Sequence, residues 1–184
     1  VLAKRYKLPT AGGDGVATAS SMAVAEFQGE HYNPTDLSTF GQSCGVNVSV
    51  KQTIGGNVPT AGLEAELDIE YIKAVAPAVD LTVVYNAQYS LLSWANQISS
   101  LEHPPLVHSV SYGNDEKQQA STAYMETANT AFMKAGARGL SLLFASGDQG
   151  VCGREGCGYF APRFNPDFPA ASPYITAVGG TDFV

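Results

Sequence analysis

The sequence predicts an α/β fold, a mainly parallel sheet with helices on both faces. Three observations lead there. Apolar runs of strand length alternate with segments of helical period along the whole chain. Two of those runs, "SMAVAEF" (21–27) and "LSLLFAS" (140–146), have the character of strands buried on both faces. No internal repeat or linker divides the 184 residues, a length that suits one domain with a sizeable core.

The elements follow in order. After the strand at 21–27, "NPTDLSTFGQ" starts a helix, with Asn33 as its N-cap and Pro34 at the first helical position. "GVNVSVKQTI" (45–54) alternates apolar and polar residues, the pattern of a half-buried strand. The Gly/Pro-rich "GGNVPTAG" leads into a helix from Leu63 to Ala76. A strand (79–86), a helix (90–101) and a strand (105–112) come next. A long helix over 119–138 ends at Gly139, the strand at 140–146 follows, and "YITAVGG" reads as a last short strand. In such sheets functional groups collect at the carboxyl ends of strands. "SYGND" and "SGDQG" both lie at such ends.

Composition narrows the function. Charged residues make up 15% of the chain and the formal net charge is −7. With a pI near 4.8, binding to nucleic acid is not expected. No apolar run reaches the roughly 18–20 residues of a membrane span. "VLAKRYKLPT" lacks the apolar core of a signal peptide, so the first residue reads as a processing site or a fragment boundary. Cys152 and Cys157 flank "GREG" and are placed to close a small disulfide, with three reduced thiols as the alternative; Cys44 is the odd cysteine. Asn47-Val48-Ser49 is a glycosylation sequon.

Three segments carry candidate chemistry. "LEAELDIEY" (63–71) holds four carboxylates in nine residues. On a 3.6-residue period Glu64 and Asp68 share one face, flanked by Leu67, Tyr71 and Ile72, and that face is expected to be the buried one. Glu66, Glu70 and Lys73 fall on the other side, expected to be solvated, with Glu70 and Lys73 paired at i,i+3. In "FASGDQG" (144–150) a buried strand runs into Ser146, Gly147 and Asp148, which places Asp148 at a strand end. In "HSVSYG" (108–113) a strand ends at Ser111, Tyr112 and Gly113, where it can present an edge to an extended peptide.

Together these blocks resemble the sedolisins, the serine-carboxyl peptidases, and most closely their tripeptidyl-peptidase branch. The resemblance rests on "KRY", "GLEAELDIEYI", "HSVSYGNDE", "FMKAGARGLSLLFASGD" and "FPAASPYITAVGGTDF", in that order. It implies a subtilisin-like fold and hydrolysis of peptides through a Ser-Glu-Asp triad. The family's E-x-x-x-D motif matches Glu64 as general base and Asp68 as its support. The Asp of its S-G-D motif, which serves the oxyanion hole, matches Asp148. The strand ending at Ser111, Tyr112 and Gly113, with Ser146 and Gly147, would then bind substrate. A glutamate base titrates about two units below a histidine and stays ionised in acid. An aspartic acid donates to an oxyanion only when protonated. Both conditions hold together at mildly acidic pH. Glu26 matches a glutamate that extends the triad in some members, which suggests a relay to Glu64; a solvated strand end is the alternative. Two positions depart from the family: Gln149 stands where many members have Ser, and Tyr112 where some have Trp.

The family's nucleophile lies in an S-G-T-S block that these residues do not contain. The resemblance therefore implies that residues 1–184 are the amino-terminal portion of the catalytic domain. A separate carboxyl-terminal chain of the same precursor would carry the serine and the family's calcium site; a truncated stretch of one longer chain is the alternative. No metal or other cofactor is expected on this chain. The implied substrates are peptides or proteins, and the implied setting is secreted or lysosomal, an acidic compartment. The rival reading is a catalytically inactive member that binds peptide or a protein partner. A nucleotide-binding enzyme is weaker, because no G-x-G-x-x-G follows the first strand.

Overall fold

The computed structural model describes residues 2–8, 20–160 and 162–182. Val1, read above as a processing site or a fragment boundary, and Phe183, the end of the last sequence block, lie outside the described residues. The chain divides into two compact units, one of residues 1–89 and 105–107, the other of residues 90–104 and 108–184.

The first unit contains a short helix α1 (Leu2–Arg5), then β1 (Ser21–Phe27), α2 (Pro34–Cys44), β2 (Gln52–Ile54), α3 (Leu63–Val75) and β3 (Asp80–Asn86). Its strands run in the order β2-β3-β1, and both pairs are parallel. β1 and β3 stay in register from Ser21 opposite Asp80 to Phe27 opposite Asn86. The start of α2 is the expected one: the Asn33 side chain accepts from the Thr35 N–H at 2.9 Å, with Pro34 next in the chain. Gly45 closes the helix with φ of 67°, a left-handed conformation that glycine adopts without strain. Met22 and Val24 of β1, Leu81 and Val83 of β3, Leu37 of α2 and Ile69 of α3 form one buried cluster.

The strand expected over 45–54 shortens to Gln52–Ile54. Its alternation is real: Val48 and Val50 pack against the core cluster while Asn47, Ser49 and Lys51 face outward. The helix cap at Gly45 turns the chain so that it meets β3 only late, beginning where the Lys51 N–H donates to the Leu81 carbonyl at 2.9 Å. Periodicity reports which side chains face the core; it does not report where the ladder begins.

The second unit contains α4 (Leu91–Ser100), all but the first residue of β4 (Val107–Val110), β5 (Asn114–Asp115), α5 (Thr122–Ala137), β6 (Ser141–Ala145), β7 (Asp167–Phe168) and β8 (Thr176–Val178). Its larger strands run in the order β4-β6-β8, and β6 pairs parallel with β8. The antiparallel pair β5–β7, too short for periodicity to reveal, joins Asn114 to Phe168 and Asp115 to Asp167. The expected strand at 105–112 is confined to 107–110. The expected helix at 119–138 starts at Thr122, because Ser121 caps it by accepting from the Tyr124 N–H at 3.1 Å. Phe144 of β6 packs edge-on against Trp94 of α4, centroids 5.8 Å apart, and against Phe132 of α5 at 5.5 Å. Such aromatic contacts add to the burial that seats the helices. The expected mainly parallel α/β architecture is the one observed.

Cys152 and Cys157 are joined as a disulfide, while Cys44 is free and exposed. Among the described residues no helix is long and apolar enough to cross a membrane.

Candidate active site

In the first unit the site residues hang from α3. This helix begins at Gly62, which has no side chain to cap it. Glu30 fills that role from a distance: its Oε2 accepts from the Glu64 N–H at 3.1 Å and the Ala65 N–H at 3.3 Å. A carboxylate at a helix amino terminus satisfies free N–H groups and opposes the positive end of the helix dipole. A methyl group on Gly62 would overlap that same carboxylate, so the glycine is needed for the close approach. Sequence reasoning missed Glu30. The signal available was a helix start with glycine where Ser, Thr, Asp or Asn is usual.

Glu64 and Asp68 lie one turn apart on the same flank of α3, both half-buried. Their shared face is as expected, but the buried side of the helix is not. Ala65, Ile69 and Lys73 point into the protein. Leu67 and Tyr71, expected to be buried, are 47% and 48% exposed and continue an apolar stripe with Leu63 and Val75. The physical reason is that the helix is apolar on two sides, and Ala65 and Ile69 fit closer against β1 than the larger residues would. Glu64 and Asp68 flank that buried side.

The other flank also corrects the sequence reading. Glu66 is half-buried and accepts from the Asn33 N–H. Burial raises its proton affinity, the Asn33 bond lowers it, and Asp36 and Glu70 raise it further. Glu70 is pushed up by burial and by Asp36. The Glu70–Lys73 surface pair does not form. Lys73 is buried, and its Nζ donates to the carbonyls of Pro77 at 2.8 Å and Val79 at 2.9 Å, tying the end of α3 to the chain leading into β3. Burial lowers the Lys73 pKa, with Asp80 opposing.

Glu26 is fully buried on β1, which rules out the solvated strand end. By strand alternation it shares the face of Met22 and Val24, the face against which Ile69 of α3 packs. The first unit thus carries Glu26, Glu64 and Asp68 on facing elements.

In the second unit the other candidates occupy the carboxyl ends of neighbouring strands, as the α/β rule expects. Ser111, Tyr112 and Gly113 follow β4 and are half-buried. Ser146, Gly147 and Asp148 follow β6 and are exposed. The Ser146 N–H donates to the Val178 carbonyl at 3.1 Å, and Gly147 turns the chain with φ of 87°. Between the two segments stands Asp167, which sequence reasoning did not single out. Its carboxyl packs against both Gly113 and Gly147. Burial pushes its pKa up to about 6; Arg154 lowers it, and Asp115 and Asp148 raise it. Asp115 is itself buried and accepts from the Arg154 N–H through both oxygens at 3.0 Å, anchoring the disulfide loop. No group of three or more His, Cys, Asp or Glu residues able to hold a metal ion occurs among the described residues.

By fold, the chain matches the serine-carboxyl proteinases. Pseudomonas sedolisin, solved with pseudo-iodotyrostatin bound, superposes with a TM-score of 0.73 over 92% of this chain and 50% of its own, at 23% identity. The architecture is therefore sedolisin's subtilisin-like one. In sequence, tripeptidyl-peptidase 1 of Rattus norvegicus is 40% identical over the whole of this chain. The Canis lupus familiaris protein is 40% identical and the Homo sapiens protein 39%. The chain spans about a third, 34%, of the length of these curated relatives. No protein-family model matches. In sequence the chain is similar to tripeptidyl-peptidase 1 and in fold to sedolisin, the two likenesses that its sequence blocks imply.

Proposed function

We propose that these residues are the amino-terminal portion of the catalytic domain of an acid-acting serine-type peptidase, a tripeptidyl-peptidase or an endopeptidase. The nucleophilic serine would lie outside residues 1–184, on a carboxyl-terminal chain of the same precursor. Calcium, if the family pattern holds, would bind there too. The observation that carries the reading is identity near 40% to tripeptidyl-peptidase 1 over the whole chain. The placement of Glu64 and Asp68 on one flank of α3, one turn apart, supports it.

In this mechanism Glu64 takes the proton of the serine hydroxyl as Oγ attacks the scissile carbonyl. Asp68 orients Glu64, and Glu26 extends the chain of carboxyls behind it. The carbonyl oxygen becomes an oxyanion, and protonated Asp148 donates to it. The C–N bond breaks as Glu64 returns its proton to the leaving amine, which leaves an acyl-enzyme. Water, deprotonated by Glu64, then releases the acid. The peptide lies extended along Ser111, Tyr112 and Gly113, beside Ser146 and Gly147. A carboxylate base stays ionised in acid where a histidine does not, which suits a secreted or lysosomal enzyme.

The test is Glu64→Gln, assayed with the serine-bearing polypeptide present. The amide keeps the shape and removes the base, so kcat should fall at least 10²–10⁴-fold, roughly the worth of a general base. Near-normal kcat in a folded variant would remove Glu64 from the role. A wild-type protein that binds peptides and cleaves none would support the inactive reading instead.

A further inference from the structure

Asp167 has no part in the reaction above, yet its carboxyl occupies a place that both proposed substrate-side segments touch. A methyl on Gly113 would overlap Oδ1, and one on Gly147 would come within 3.3 Å of Oδ2. Oδ1 is buried without a hydrogen-bond partner. The side chain cannot easily withdraw, because β7 is paired with β5, Asn114 opposite Phe168, and the Asp167 carbonyl accepts from the Ala171 N–H at 2.8 Å. Three charged groups face it. Arg154, from the loop after the disulfide's first cysteine, attracts its charge; Asp115 of β5 and Asp148 after β6 repel it. The Arg154 guanidinium is also committed to Gly113, whose carbonyl accepts from Nη2 at 3.1 Å.

We propose that Asp167 is a positioning residue: its carboxyl sets the spacing between the chain at Gly113 and the turn at Gly147, and ionisation of that carboxyl loosens both. When the group is neutral it fits between the two backbones. When it ionises, its charge faces Asp115 and Asp148 and draws Arg154 away from the Gly113 carbonyl. The substrate strand and Asp148 then lose their mutual alignment. Misplacement of this kind reduces rate without touching the reacting atoms. Burial holds the carboxyl's pKa at about 6, so the loosening falls between mild acid and neutrality. The consequence for catalysis rests on the peptidase reading; the contact itself does not.

Two measurements on the protein with its serine-bearing polypeptide test this. The first is amide hydrogen exchange at Gly113, Gly147 and Asp148, corrected for intrinsic rates. A group titrating near pH 6 is about nine-tenths ionised at pH 7. Wild-type protection should therefore fall about tenfold between pH 5 and pH 7, and Asp167→Asn, which cannot ionise, should not show the fall. The second is the ratio of kcat/KM at pH 7 to that at pH 5, which should be about tenfold higher in Asp167→Asn than in wild type. Equal pH dependence of exchange in the two proteins overturns the proposal. An altered exchange profile with an unchanged activity ratio overturns its catalytic part. If the wild type hydrolyses nothing, the peptidase reading fails and exchange alone decides the contact. Gly113→Ala gives a check independent of Asp167→Asn folding. It should lower Tm, and adding Asp167→Ala should restore most of the loss; no restoration removes the contact.

Discussion

Replacing Lys73 with alanine distinguishes a buried anchor from a surface ion pair. As one partner of an exposed i,i+3 pair, Lys73 would be worth at most about 0.5 kcal/mol. The structure buries it to 3% exposure and gives its ammonium two carbonyl partners. Alanine removes about three buried methylenes, at about 0.8 kcal/mol each. It also leaves the Pro77 and Val79 carbonyls without a charged donor, about 1.5–3 kcal/mol apiece. Against this stands the cost of keeping an ammonium out of water, several kcal/mol, the same burial that lowers the Lys73 pKa. The net expected loss for Lys73→Ala is about 2–4 kcal/mol. Lys73→Met keeps the stem and removes the buried charge, so it should cost less, about 1–2 kcal/mol. Urea unfolding of wild type and both variants reads these directly, with unchanged slope m and shifted midpoint. A double-mutant cycle with Glu70→Gln should give a coupling below about 0.3 kcal/mol, since the two side chains are not paired. A Lys73→Ala loss under about 0.5 kcal/mol, or a coupling as large as the loss itself, would refute the buried anchor.

Other expectations follow from the same contacts. Asp115→Ala removes the acceptor of the Arg154 and Glu155 N–H groups and should cost about 2–4 kcal/mol in urea unfolding, with Asp115→Asn costing less; a loss under about 0.5 kcal/mol would show that the disulfide loop does not depend on it. Glu66 has a folded-state pKa above its ordinary 4.5, so the folded protein holds its proton more tightly and stability falls as pH rises through that window, with Glu70 contributing in the same sense. Glu66→Gln should therefore flatten part of that slope and be at least as stable as wild type at pH 7, whereas Glu66→Ala, without an acceptor for Asn33, should lose about 1–2 kcal/mol; thermal unfolding against pH measures both. Asp148→Ala removes the proposed oxyanion donor and should lower kcat about 10²–10³-fold with the serine-bearing polypeptide present; near-normal kcat in a folded variant would remove Asp148 from that role.

Much of this protein is legible from local pattern. Apolar runs and helical periods located the large strands and all the helices from α2 to α5. Asn33-Pro34 and Gly139 marked helix ends because capping depends on the residues at the end itself. The shared flank of Glu64 and Asp68 also followed from sequence, since four residues make about one helical turn whatever the surroundings. What α3 buries did not follow. Leu67 and Tyr71 are as hydrophobic as Ala65 and Ile69, so composition could not choose between two apolar sides, and packing against β1 chose. Helical phase alone places Lys73 on the solvated side, because its carbonyl partners follow the helix in a segment whose path only the folded chain defines. Glu30 caps α3 from more than thirty residues away, and Asp167 meets Gly113 and Gly147 from 54 and 20 positions along the chain. Periodicity carries information over a few residues; these contacts are brought together by strand pairing, which the tertiary structure alone decides.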